Sequence, residues 1–578
     1  MLSHVTPAGR PRSHVKDARD PMSRTPAIPC LRQSKMGIVQ DFFTIEFCGR
    51  LLHMTRFFNT TGPCNPEDHY MLPPGERLIG AQVHRYVRDK LYWMLHAPRQ
   101  TGKTTFLLSW MHELNAKGDV ASCYVSVEKC QPFPDAERAI PVACECVRQW
   151  AAREGLPVPE KTTDIAGSAL SGILGEWARL VAPKPLVVLF DETDVLQDDA
   201  LISFLRQLRD GFATRGVGKF PISIALVGMR DLKDYITASK GGIAPNPGSP
   251  FNIKKDSAII GNFSKDDVAR LFAQRTEETG QRITDDALAY VWDQSRGQPW
   301  IVNSLFERAT MRILDETSTE TVSLEHIYQA REQMILARET HLDALSRRLE
   351  DPRVRKVMET LLTGEPDIRL AESEGFALCQ DLGLVAIENG PPKVANPIYT
   401  EILARQMTYG TQMAMQEPAF RWQKPDGTLD MDLLLAEFQG FWRENSEIWE
   451  ETANYTEAFP HLLLMAFLQR VTNGEGRIER EYAAGRGRMD LAVEYNGEWN
   501  ILEIKLLRDR QSFEKVLESG LKQIIGYRDL FSSSLRIKTG KPIPCYLLIF
   551  DRRSEEKKLP WEERIRREKH GDVTVLGC

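Results

Sequence analysis

Four continuous apolar runs, separated by long amphipathic stretches, constrain this chain more than any other feature: YWMLHA (92–97), ASCYVSVE (121–128), PLVVLFD (185–191) and ISIALVG (222–228). Strands that are apolar along their whole length must be covered on both faces. Their alternation with helical stretches predicts a parallel sheet flanked by helices, an α/β fold. The first run passes into HAPRQTGKTTFLLSWMHELNAKG, so that Gly102-Lys103-Thr104-Thr105 lies between a strand and a helix expected to stop at Gly118. A loop so placed aims main-chain N–H groups and a helix N-terminus at phosphate. Lys103 can then reach the β and γ phosphates of a nucleoside triphosphate, and the Thr104 hydroxyl can bind Mg2+. Ala97, followed by Pro98, replaces the first glycine of GxxxxGK[ST]. Alanine serves where positive φ is not needed, so the loop reads as a variant P-loop in which Arg99, Gln100, Thr101, Gly102, Lys103, Thr104 and Thr105 form the nucleotide site.

The third run closes on Asp191 and Glu192. Carboxylates at the end of a buried strand are costly unless they face a site. Asp191 is expected to hold Mg2+ through water and Glu192 to polarise the attacking water. Together the two motifs predict a P-loop NTPase core.

A length of 578 residues corresponds to about three or four domains. Hydrophobic content of 42%, charged content of 27% and a formal net charge of -6 describe a globular chain without a global polyanion-binding signal, so any nucleic-acid surface must be local. The 10 cysteines show no zinc spacing, and Cys144 and Cys146 read as the buried side of a helix; a reduced, cytoplasmic chain is expected. No apolar run approaches the ~20 residues of a membrane span. Residues 1–53, rich in Arg, His, Pro and Ser, are expected to be disordered, and Met36 and Met54 offer alternative starts. The expected order is then a P-loop core at 54–260, a helical lid at 261–345, a winged helix at 346–410, a linker at 411–440 and a final α/β domain at 441–578. The winged helix has two readings, duplex DNA binding or packing as part of the lid; its mixed charges give no continuous basic stripe.

In GRGRMDLAVEYNGEWNILEIK (485–505), two alternating strands flank Asn496-Gly497, the favoured pair for a two-residue type I' turn. A simple register sets Asp490 across from Glu503, and period-two alternation puts Glu503 and Lys505 on one face. Such a cluster suits phosphodiester hydrolysis. Asp490, Glu503 and the Ile504 carbonyl would hold Mg2+ or Mn2+, with Lys505 orienting the nucleophile or stabilising the transition state. An edge hairpin with a surface Glu–Lys pair gives the same letters.

APRQTGKTT, the DETD that follows LVVLF, SIALVGMRD and GQPWIVNSL together resemble the bacterial and archaeal AAA-type ATPases related to the signal-transduction ATPases and the origin-recognition group. The resemblance covers about 56–410, including FNTTGPCNPEDHYMLPP. It implies ATP as cofactor and a homo-oligomer, and through the GxP motif it sets Pro299 against the adenine; a proline opening a helix would look the same. It also makes Arg230 a sensor or finger arginine, although a surface salt bridge is equally compatible. The absence of a polar sensor residue in the middle of SIALVG leaves slow, switch-like turnover as open as a motor.

The C-terminal segment, over about 441–550, resembles the PD-(D/E)xK nuclease superfamily, with a restriction-endonuclease-like fold. The resemblance rests on TEAFPHLLLMAFLQRV, RIEREYA and the D…ExK residues. Gln523 and Tyr527 add QxxxY on one helical face, similar to the exonuclease branch typified by bacterial recombination nucleases. The resemblance implies that Gln523 and Tyr527 assist the metal site or contact DNA, and that an acidic residue of the first helix, here Glu457, completes it. Arg477, Arg480, Arg486 and Arg488 could pair with phosphates. Met489 stands where the family's proline would be.

The combined expectation is an AAA-type ATPase controlling a Mg2+-dependent nuclease that cleaves nucleic acid, DNA before RNA, in DNA repair or defence against foreign DNA. The alternative is a nucleotide-dependent regulatory or scaffold protein whose C-terminal fold binds nucleic acid or a partner without cutting.

Overall fold

A computed structural model describes residues 56–80, 82–229, 254–337, 347–362, 368–387, 391–403, 406, 422–452, 460, 463–465, 467–468, 476–484, 487–533, 542–554 and 556–578, with main chain only at 254–256, 445–452, 476–484, 487–490 and 530–533. The 1–53 extension, Arg230, Glu457 and Arg486 lie outside the described residues.

All four apolar runs are strands. With β1 (Leu78–Ile79), β2 (Tyr92–His96), β3 (Ala121–Ser126), β4 (Leu186–Asp191), β5 (Ser223–Gly228) and β6 (Lys254–Ile260), the sheet order is β1-β6-β2-β5-β4-β3. Strands β2 to β6 run parallel, and β1 caps the edge antiparallel to β6. Every residue of β4 and β5 is buried, as a strand covered on both faces requires. Helices Ala136–Arg153, Ala166–Leu180 and Asp198–Phe212 cover one face, while Lys103–Lys117 and Val83–Arg88 cover the other. Cys144 and Cys146 sit on the buried side of the first of these, as expected.

Beyond β6 come the helices Lys265–Thr279, Asp285–Ser295, Pro299–Glu307 and Leu324–Leu336. Then follow Pro352–Leu362, Glu374–Asp381 and a two-stranded antiparallel ladder of β7 (Val385–Ala386) with β8 (Lys393–Val394), in the segment where a winged helix is expected. Val354, Val357, Met358, Phe376 and Leu378 share one core with Leu271, Ile301, Leu305 and Met334, and also with Phe58 and Tyr70 from the segment ahead of the P-loop. The lid and winged-helix segments are thus one packed body, and the boundary expected at 345–346 separates no cores.

The C-terminal module is a second six-stranded sheet of β9 (Gly476–Ala484), β10 (Gly487–Tyr495), β11 (Glu498–Leu507), β12 (Cys545–Asp551), β13 (Arg567–His570) and β14 (Val573–Gly577), in the order β13-β14-β12-β11-β10-β9. Asn496 (φ 48°) and Gly497 (φ 81°) both adopt the left-handed conformation, the requirement of the type I' turn joining β10 to β11. One sheet face packs on Phe513–Ser533 through Val516, Ile524 and Tyr527. The other packs on Leu434, Leu435, Phe438 and Trp442 of the helix Met431–Thr452. This corrects the linker expected at 411–440 and the domain start at 441: from Trp422 onward those residues belong to the C-terminal core. Their apolar side chains recur at helical spacing and are buried against β10, β11 and β12. Among the described residues, no helix is long and apolar enough to cross a membrane.

Candidate nucleotide cleft and carboxylate face

The P-loop follows β2 and opens the Lys103–Lys117 helix, as its sequence context predicts. Gly102 (φ 94°) takes a conformation that only glycine adopts without strain, and Gln100 is left-handed at φ 57°. Lys103 Nζ donates to the main-chain oxygens of Ala97 (2.8 Å) and Pro98 (2.9 Å), and burial pulls its pKa down. An ammonium at the mouth of a helix N-terminus is placed to pair with an anion such as phosphate. Thr101 is buried and its hydroxyl donates to Pro98 O (2.9 Å), so it serves the loop through its main chain. Thr104 Oγ1 donates to Asp191 Oδ2 at 2.6 Å, which leaves the lone pairs of the hydroxyl for a cation.

Asp191, at the end of β4 and 1% exposed, is more tightly held than its sequence suggests. Its Oδ2 also accepts from the Tyr124 hydroxyl (3.0 Å) and its Oδ1 from the Glu192 N–H (2.9 Å). Tyr124 comes from the neighbouring strand β3 and packs edge-on against Trp150 with ring centroids 4.6 Å apart. Glu192 is left-handed (φ 59°), a strain of about 1–3 kcal/mol for a non-glycine residue. Burial, reinforced by Asp191 and Asp194, pushes its carboxyl up to about 7. Asp194 is raised as well, chiefly by burial. Thr193 Oγ1 donates to Val227 O (2.9 Å), and Ala97 N donates to Gly228 O (3.4 Å). These bonds lock the end of β5 between the P-loop and the acidic pair.

These groups front a cleft of about 400 Å3. Arg99, Gln100, Gly102, Lys103, Thr104, Thr105 and Glu192 line it, and so does Pro299. Pro299 stands at the first position of its helix, the helix-opening reading of that proline, and its ring also fronts the cleft. The cleft is roofed by the segment at 58–74: Cys64 N donates to Thr105 Oγ1 (3.0 Å), and Trp300 Nε1 donates to Thr60 O (2.8 Å), tying that strap to the P-loop helix and to the lid. Tyr70, Met71, Leu72, Phe263 and Leu271 give the cleft an apolar part to its lining. The winged-helix segment also reaches the loop: a Cβ on Gly383 would stand 2.7 Å from Pro98 Cβ.

Three residues of this site are missing from the sequence reading. Tyr124 looks like one more core aromatic in an apolar strand, and Asp194 stands in DETD with no role that its position in the sequence assigns. Arg77, in the turn Pro74–Arg77, belongs to no motif. Nothing local marks any of them, because their roles depend on which strands become neighbours.

The structure gathers four of the C-terminal candidates on one sheet face. Lys505 Nζ donates to Glu503 Oε1 (2.7 Å) and to Gln523 Oε1 (2.8 Å), while Gln523 Nε2 donates to the Tyr527 hydroxyl (2.8 Å). Glu503 is wholly buried and Lys505 half-buried. The pairs from Leu491–Leu502 to Tyr495–Glu498 fix the register; carried one residue further, it sets the Asp490 position across from Glu503. Strand alternation puts that position on the Ala492 face, the one covered by Phe513–Ser533. Arg477, Arg480 and Arg488 lie on β9 and β10. Among the described residues, no group of three or more His, Cys, Asp or Glu side chains is clustered to hold a metal ion.

No protein-family model matches the chain, and no curated protein matches it. Among solved structures, similarity extends to a Walker-type ATPase of Pyrococcus abyssi at 12% identity and TM-score 0.44, covering 60% of this chain and 99% of that one. The Aeropyrum pernix ORC2 protein, in its ADPNP–ADP complexes, is similar at 13% identity and TM-score 0.34, covering 61% and 97%. The Aeropyrum pernix ORC1 protein in complex with DNA is similar at 16% identity and TM-score 0.32, covering 59% and 94%. Likeness at this level carries no inference about activity, which rests on the geometry.

Proposed function

We propose that this chain binds and hydrolyses ATP in the strap-covered cleft and that the nucleotide state controls a nuclease centre on the β10–β11 face, with DNA as its substrate. The observation that carries the first half is the Thr104–Asp191 hydrogen bond at 2.6 Å beside a half-buried Lys103, since it joins the P-loop to the acidic strand end at one point. The second half is supported by the Glu503–Lys505–Gln523–Tyr527 row.

In the cleft, the main-chain N–H groups around Gly102 and the start of the Lys103–Lys117 helix bind the phosphates. Lys103 leaves the Ala97 and Pro98 carbonyls for the β and γ oxygens. Thr104 and, behind it, Asp191 would hold Mg2+, which supplies neutralisation of charge on the transferring phosphoryl group. Glu192 orients the attacking water and takes its proton; the bond from the γ phosphorus to the bridging oxygen breaks. The apolar lining around Leu72, Leu271 and Pro299 suits a purine.

On the second face, Glu503 and Asp490 would hold a hard divalent ion, Mg2+ or Mn2+, for which carboxylate oxygens are suited. Lys505 stabilises the developing negative charge on the scissile phosphate, and Gln523 fixes the position of its ammonium. Tyr527 in turn fixes Gln523.

Purified full chain with Mg2+ is expected to hydrolyse ATP and to cut DNA, and Lys505→Ala is expected to stop the cutting while leaving ATP hydrolysis intact. Hydrolysis without cutting of DNA or RNA would instead identify a nucleotide-dependent regulatory or scaffold protein.

A further inference from the structure

Arg77 is held on several sides at once. Its main-chain oxygen accepts from Gly261 N (2.9 Å), while its Nη1 donates back to Gly261 O (2.9 Å) and across to Thr101 O in the P-loop (2.8 Å). The guanidinium carbon lies 4.8 Å from the centre of the Phe263 ring. The group is thus locked in plane and in register, with Nη1 already used twice. Nη2 points past Gly102, 2.7 Å from where a Cβ on that glycine would sit, and both residues line the cleft. Among the described residues, no carboxylate lies within ion-pair distance of Arg77.

A largely enclosed guanidinium with no direct ion pair is costly, because the charge of the more distant Asp267 repays only part of its desolvation. Burial accordingly pulls the Arg77 pKa down to about 10. Propping the P-loop requires only Nη1. The remaining edge, with its two N–H donors, faces the cleft, where Lys103 likewise donates its hydrogen bonds to main-chain carbonyls and Arg99 also lines the wall. Two cations flank one glycine-built loop, and a polyanion would neutralise both.

We propose that Arg77 is a phosphate-binding residue, supplied to the cleft by the strap side and contacting the phosphates that ADP and ATP share. The proposal rests on the reading of the cleft as a nucleotide site. It adds a consequence for the strap: Arg77 closes the segment that Thr60 and Cys64 tie to the lid and to the P-loop helix, so phosphate binding fixes the strap from its far end.

The test is equilibrium binding to the full chain, with a fluorescent ADP analogue competed by ADP, ATP and adenosine. It uses wild type, Arg77→Gln and Arg77→Lys. Glutamine keeps a neutral donor for Thr101 O but no charge. Arg77→Gln should weaken ADP and ATP alike, by about tenfold to a hundredfold for a lost charged hydrogen bond, and leave adenosine unchanged. Arg77→Lys should fall between. If Arg77→Gln does not fold, as read by its thermal transition, Arg77→Lys alone decides: its ADP-to-adenosine affinity ratio must drop. Wild-type ADP affinity in Arg77→Gln, or equal losses for ADP and adenosine in either variant, would overturn the proposal in favour of a loop prop. Failure of the wild type to bind ADP at all would instead remove the nucleotide reading itself.

Discussion

At the scale of single residues, the two sites differ in how their charges are stored. In the proposed nucleotide cleft two charges are hydrogen-bonded by neutral groups: Lys103 by carbonyls, Asp191 by two hydroxyls and an amide N–H. Lys103→Ala therefore removes the cleft's central cation, and ATP binding measured by titration should weaken about a hundredfold or more, the scale of losing charge-assisted bonds to phosphate. Glu192→Gln should keep ATP binding and lower kcat by about a hundredfold to ten-thousandfold, the usual contribution of a positioned base; wild-type turnover in both variants would refute the assignment. On the proposed reading, Tyr124 would act on a bound Mg2+ only through Asp191, to which its hydroxyl donates. Tyr124→Phe should raise the Mg2+ concentration for half-maximal hydrolysis about tenfold, the usual order for a group that orients a ligand, and leave Mg2+-free ADP binding unchanged. An unchanged Mg2+ requirement would make Tyr124 a core residue only.

At the scale of elements, what was legible in the chain was what depends on neighbours in sequence. Apolar runs gave the parallel strands, Asn496-Gly497 gave the turn, and Gly102 to Thr105 gave the loop before its helix. The Met431–Thr452 helix also carried its signal, in Met431, Leu434, Leu435, Phe438 and Trp442 at helical spacing and in Asp430, whose side chain accepts from Leu433 N (3.0 Å). Its polar face and the polar stretch before it outweighed that pattern. Tyr124 and Arg77 were not legible, because their meaning comes from strand order: β3 lies beside β4, and β1 returns antiparallel along β6. The carboxylate face shows the same dependence. Helix Phe513–Ser533 crosses the sheet at Gly520, where a Cβ would meet Leu547 Cδ1 at 2.7 Å. Gly520→Ala should push the helix off β12, stretch the Lys505–Gln523 bond and reduce cleavage. Shortening the obstacle in Gly520→Ala/Leu547→Ala should return activity, although the cavity left by leucine costs about 2–5 kcal/mol of stability, readable as a lower Tm. Equal activity in wild type and Gly520→Ala would show that the approach is not limiting.

At the scale of the whole molecule, the core clusters divide cleanly. Those of the C-terminal sheet draw only on residues from Trp422 to Cys578, and those of the P-loop sheet and of the segments that follow it only on residues from Phe58 to Leu403. A fragment spanning 422–578 should therefore fold alone with a cooperative thermal transition; an unfolded fragment would mean that the first module supplies part of its stability. The lid and winged-helix segments, in contrast, share one core, and Gly383 touches Pro98 of the P-loop, so a change at the nucleotide has a packed route into that body. The central claim is that one chain joins an ATPase to a nuclease that it controls. The most direct measurement is cleavage of linear, circular and single-stranded DNA and of RNA by the full chain with Mg2+, in the presence of ADP, ATP or a non-hydrolysable analogue, for wild type, Lys103→Ala and Lys505→Ala. The account predicts DNA cleavage by wild type that depends on the nucleotide, loss of that dependence in Lys103→Ala, and no cleavage by Lys505→Ala. Cleavage of no substrate by wild type, or equal cleavage after Lys505→Ala, would contradict it.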